Sequence, residues 1–152
     1  MRNKISTPCV GVCSTIYGDD ICRGCHRTFE EIIKWNNLSD NEKLEINQRL
    51  DNLQNRFTKK YLEIKDLDLL EKTLVNLKAI RFSYKSDDNQ DNKLNLVYKL
   101  IKKNIHKINA SRLPELGVSI KEKYSNLSLN EILTKIDEAI YNHSESTFYK
   151  VS

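Results

Sequence analysis

The chain has 152 residues, 39% of them apolar and 30% charged, with a formal charge of +4. That length suits one ordinary domain or two small ones, and the core it can bury is modest. The mild basic excess is no histone-like charge, so it carries little weight toward nucleic acid. No apolar run approaches the ~20 residues of a membrane span. The opening MRNKISTPC has no apolar stretch of a secretory signal. The expected compartment is therefore the cytoplasm, where thiols stay reduced.

Four glycines and two prolines leave little punctuation, and Lys, Asn, Ile and Leu dominate. Regular helix is expected to be extensive. Residues 1–27 form a cysteine-bearing head. Thr28 with Glu31 is a capping box that opens a helix carrying Ile32, Ile33 and Trp35, broken at Asn36 and Asn37. Ser39 with Glu42 opens a longer helix. Its apolar face is Ile46, Leu50, Leu53, Phe57 and Ile64. Asp68 with Glu71 is read as a third box, ahead of Leu70, Leu74, Leu77, Ile80 and Tyr84. Residues 86–92, SDDNQDN, hold no apolar residue and read as a linker.

Leu94, Val97, Ile101, Ile105 and Ile108 then mark another amphipathic helix. Residues 111–118 contain Pro114 and Gly117 and read as a bend. Ser119 with Glu122 suggests one short helical turn. Ser128 with Glu131 caps the last helix, with Leu127 and Ile132 as its staple and Ile132, Leu133, Ile136, Ala139 and Ile140 as its buried face. The expected fold is all-α, with five to six helices and a small irregular N-terminal four-cysteine metal-binding head. The expected divisions are 1–50 (head and first helices), 51–85, the linker 86–92, and 93–152.

The chemistry concentrates in the head. Cys9 and Cys13 are three residues apart, Cys22 and Cys25 two, and the rest of the chain has no cysteine. Two close pairs on a short loop can place four sulfurs at the corners of a tetrahedron. Zn²⁺ accepts that set, and so do iron–sulfur clusters. Gly11 and Gly24 let the backbone turn tightly within each pair, and Pro8 stiffens the entry. Four thiolates on a divalent cation leave a net charge near −2 by formal addition. Arg23, His26 and Arg27 surround the second pair, and the helix opening at Thr28 turns its positive end that way. A head of about 25 residues has too little core to fold unaided, so the metal serves at least as a staple. His26 reads as an outer donor or a solvent-facing residue, and Trp35 as core packed with Phe29 and Ile32. His106 and His143 read as surface residues.

Taken together, Pro8, Cys9, Gly11, Cys13, Cys22, Gly24, Cys25, Arg27, Thr28, Glu31, Ile32 and Trp35 resemble a bacterial family, domain of unknown function 1289. It is described as small predicted iron–sulfur proteins. The resemblance covers residues 6–50. It implies four cysteine ligands in a bacterial cytoplasmic protein, and leaves zinc and iron–sulfur both open.

The leading expectation is a metal-binding accessory protein without a catalytic site, its helices contacting a partner protein and no membrane. One alternative is a nucleic-acid-binding zinc module. Lys99, Lys102, Lys103, His106 and Lys107 share one helix side, and residues 28–35 with 40–50 are spaced like a helix-turn-helix. A solvated face explains the same lysines. The other alternative is a thiol redox protein, from the C-x-x-C spacing at Cys22–Cys25, although no βαβ pattern surrounds it. No Walker loop, G-x-G-x-x-G, H-E-x-x-H or nucleophile elbow is present.

Overall fold

A computed structural model describes residues 5, 7–9, 13–76, 93–105, 107 and 110–151. Gly11, Leu77, Ile80, Tyr84, the linker 86–92, His106 and Ile108 lie outside the described residues. The chain is mostly helical. The helices are α1 (Phe29–Lys34), α2 (Asp40–Thr58), α3 (Leu67–Asn76), α4 (Leu94–Lys103) and α5 (Leu129–Val151). Two short strands, β1 (Leu62–Ile64) and β2 (Val118–Ile120), form one antiparallel sheet. The all-α expectation is corrected to that extent. Among the described residues, no helix is long and apolar enough to cross a membrane.

Two compact units result: Met1–Leu53 with Asp137–Ser152, and Gln54–Ile136. In the first, the Thr28 box is complete. The Glu31 N–H donates to Thr28 Oγ1 at 3.1 Å and the Thr28 N–H to Glu31 Oε1 at 2.9 Å. Ser39 and Glu42 exchange the same pair of bonds at the start of α2, both at 3.1 Å. Each box satisfies two of the N–H groups that a helix start leaves without partners. Arg49 on α2 then grips Glu31 with both arms, Nη1 to Oε2 at 2.6 Å and Nη2 to Oε1 at 2.7 Å. That fork fixes α1 against α2. Ile21, Trp35, Leu50, Ile140 and Tyr141 are buried here.

The second unit holds the sheet. Its register pairs Leu62 with Ile120, Glu63 with Ser119 and Ile64 with Val118. Ile64 therefore belongs to a strand rather than to the α2 face, and α2 stops at Thr58. Ser119 is likewise a strand residue, not a helix cap. A 3-10 turn at Glu122–Tyr124 follows without a side-chain cap. Helix α3 is capped by Asp66, whose Oδ1 accepts the Leu69 N–H at 3.0 Å, and not by Asp68. The Gly117 carbonyl accepts the N–H groups of Lys65 (2.8 Å) and Asp66 (3.0 Å), which ties that cap to the entry of β2. Gly117 has φ +75°, and a Cβ there would collide with the Asp66 carbonyl, so only glycine fits. Leu70, Leu74, Val97, Ile132 and Ile136 are buried at its centre. Beside them Thr58, Leu62, Tyr98, Ile101, Leu129, Ile132, Leu133 and Ile136 line a cavity of about 10 Å³. The buried Thr58 Oγ1 has no hydrogen-bond partner among the described residues.

Candidate metal centre

The second cysteine pair sits at the tip of a small hairpin. Ile21 bridges Thr28 in antiparallel pairing. The Cys22 N–H donates to the Arg27 carbonyl at 2.8 Å, the His26 N–H to the Cys22 carbonyl at 2.7 Å, and the Phe29 N–H to the Asp20 carbonyl at 2.9 Å. His26 closes the tip in the left-handed region, φ +66°. A side chain is uncommon there, and such strain gathers at functional loops. Cys22-Arg-Gly-Cys25 is thus folded as a knuckle that brings its two thiols together. Cys22 is 1% and Cys25 5% exposed.

The knuckle surrounds sulfur with donors. Burial raises the Cys22 thiol pKa, but hydrogen bonds from the backbone of Cys25, Ser14 and Gly24 and from the Cys25 side chain outweigh it. The net position is below the ordinary 9.0. Burial likewise pushes Cys25 up, and there Arg27 offsets it only in part. The Arg27 Nε–H donates to Cys25 Sγ at 3.3 Å, and its guanidinium lies over the Trp35 ring at 5.0 Å. Thiolate is the form that N–H donors favour and that a metal takes.

The first pair is placed less tightly. Ser14, next to Cys13, accepts the Arg23 N–H on Oγ at 2.8 Å, which holds that segment against the knuckle. Cys13 is half-buried, its Sγ sharing a hydrogen bond with Thr15 Oγ1 at 2.9 Å. Cys9 is exposed, its N–H donating to Thr7 Oγ1 at 3.3 Å. None of the four is in a disulfide. Among the described residues, no three His, Cys, Asp or Glu side chains converge as a ready metal cage. The structure therefore brings Cys22 and Cys25 together, and among the described residues no third such side chain joins them as a cage. The donor chemistry and the aimed amides of the knuckle fit a thiolate-bound metal.

Two neighbours of the knuckle have no signal in the sequence. The Arg23 guanidinium stacks on the Tyr141 ring at 4.0 Å, and His26 Nε2 lies 3.9 Å from Asp137 Oδ1. Asp137 and Tyr141 are one turn apart on α5, more than a hundred residues away in the chain. His26 is 1% exposed, so the solvent-facing alternative is excluded. Trp35 is buried as expected, but Phe29 is 49% exposed and does not share its core. His143 is half-buried.

The match to known proteins falls on this head. Residues 7–54 match the family described as protein of unknown function (DUF1289). The resemblance read from Pro8 to Trp35 is borne out over that segment, which is about a third of the chain. The uncharacterized protein YdhL of Escherichia coli K12 is 41% identical over 44 residues, 28% of this chain and 52% of that protein. YdhL of Shigella flexneri matches to the same extent. The chain spans about half the length of the curated relatives it matches. No solved structure matches. The DUF1289 segment thus contains all four cysteines, the knuckle, both completed capping boxes and the Glu31–Arg49 fork.

Proposed function

We propose that this is an accessory metal-binding protein of the bacterial cytoplasm. One four-thiolate centre, built from Cys9, Cys13, Cys22 and Cys25, sits in its N-terminal head, and the helices serve a partner protein. The observation that carries the reading is the knuckle, with three backbone groups directed at the Cys22 sulfur. A C-x-x-C knuckle presents two thiolates to a single tetrahedral ion, so zinc is the first reading. An iron–sulfur cluster is the second, favoured by the family resemblance of the head. Zinc would supply folding energy, and a cluster would supply an electron. Cys22 and Cys25 form the half of the site that folds in advance. Cys9 and Cys13 close over the metal as it binds, a coupling usual for small thiolate sites.

The other readings have less support. A redox C-x-x-C needs a thiolate open to attack, and Cys22 is 1% exposed. On α4, the Lys102 ammonium donates to the Tyr98 hydroxyl at 3.0 Å, so that lysine of the basic side is turned onto its own helix. The deciding experiment is metal and sulfide analysis with an absorbance spectrum, on protein purified without oxygen. One zinc per chain and a colourless sample is the expected result. Iron with acid-labile sulfide makes the second reading the right one. A metal-free protein whose four thiols all alkylate in the folded state sinks both.

A further inference from the structure

We propose that Arg27 is the counter-charge that positions and stabilises the metal-bound thiolates. This rests on the metal-binding reading above and adds a residue to it. Arg27 is 4% exposed. A buried guanidinium normally has an anion beside it, because an isolated buried charge is costly. Among the described residues, no carboxylate pairs with Arg27. The nearby Glu31 carboxylate is committed to Arg49 and to the Thr28 N–H. What the guanidinium meets instead is the Cys25 sulfur, through Nε–H at 3.3 Å, and the face of Trp35 at 5.0 Å. A cation so placed lacks a negative partner until thiolate gathers at the knuckle. Four thiolates around Zn²⁺ carry about −2 by formal addition, and Arg27 is the buried positive group in contact with one of them. The ring of Trp35 holds the guanidinium plane from its other side, so the charge is fixed as well as present. Arg27 lies outside the inner set of ligands, and it acts through Cys25.

The test uses the full chain, freed of metal and reloaded with Zn²⁺, its affinity measured by competition with a chelator. Folding is followed by circular dichroism with and without zinc. Arg27→Gln keeps a donor of similar reach and removes the charge. It is expected to weaken zinc binding roughly tenfold to a hundredfold, the usual cost of losing a group that supports a ligand. Arg27→Lys is expected to recover most of that loss. The thermal midpoint of the zinc-free protein is expected to change less than that of the loaded one. An affinity of Arg27→Gln equal to the parent's overturns the proposal. So does a loss in Arg27→Lys as large as in Arg27→Gln, or an equal fall in stability with and without zinc, which marks a packing role only. Where Arg27→Gln fails to fold, Arg27→Lys and Trp35→Leu decide. A clear loss of zinc affinity in Trp35→Leu with Arg27→Lys within roughly threefold of the parent supports the proposal, and a parent-like affinity in Trp35→Leu or a loss near tenfold in Arg27→Lys overturns it. A parent chain that takes up no zinc and no iron removes the metal reading itself, and the role of Arg27 falls with it. Tight zinc binding with no effect at Arg27 removes only the counter-charge.

Discussion

Glu31 serves two partners with one carboxylate. It closes the Thr28 capping box and receives both arms of Arg49. Burial raises its pKa, but the Arg49 guanidinium and the bonds with Thr28 outweigh that, so the net shift is below the ordinary 4.5. A carboxylate held low in the folded state adds stability above its unfolded pKa, and that part is lost as pH falls through the folded value. The stability gap between the parent and Arg49→Ala should therefore be full at pH 6 to 7 and shrink below about pH 4.5. Urea midpoints from pH 7 to pH 3 measure it, and a gap that stays constant to pH 3 would refute the assignment. Thr58 is the opposite case, a buried hydroxyl with no described partner. Valine has its shape without the oxygen. Thr58→Val should raise stability by about 1 kcal/mol, the order of the cost of an unmade hydrogen bond. A loss in chemical denaturation would mean that the hydroxyl is bonded after all.

At the scale of elements, legibility followed the range of the cause. The caps at Thr28, Ser39 and Ser128 were readable because each is a contact between residues three apart; the Glu131 N–H donates to Ser128 Oγ at 3.1 Å. Period did the same for Leu94, Val97 and Ile101, and for Ile132, Ile136 and Ile140, all buried. The sheet was not readable. Leu62–Ile64 and Val118–Ile120 are three residues each and lie more than fifty residues apart. A short apolar run next to a long helix extends the helical period by chance, and only its distant partner makes it a strand. The same holds for the α3 cap. Asp66 and Asp68 are equivalent as sequence, and the Gly117 carbonyl selects the first by receiving its N–H. In the head, the C-x-x-C spacing announced the close Cys22–Cys25 pair, and Gly24 announced the tight turn. Neither revealed that Asp137 and Tyr141 would stand beside the knuckle.

For the molecule as a whole, the family segment and the compact unit do not coincide. Residues 7–54 carry the DUF1289 match, whereas the unit that contains them also takes in Asp137–Ser152. The end of α5 therefore completes the cysteine head, through the Tyr141 ring under Arg23 and Asp137 near His26. Tyr141→Ala should cost about 3 kcal/mol, typical for truncating a buried aromatic. It should also speed zinc loss to a chelator. Thermal denaturation and chelator kinetics test the two parts, and unchanged zinc release would separate α5 from the site. The other unit has its own consequence for tracing descent. Its sheet and the α3 cap meet at a backbone position where no other residue fits. Any chain that inherited residues 54–136 as this fold keeps a glycine just before a short apolar strand, with an aspartate about fifty positions upstream. That pair offers a sparse signature for finding kin by the half that the cysteines do not mark.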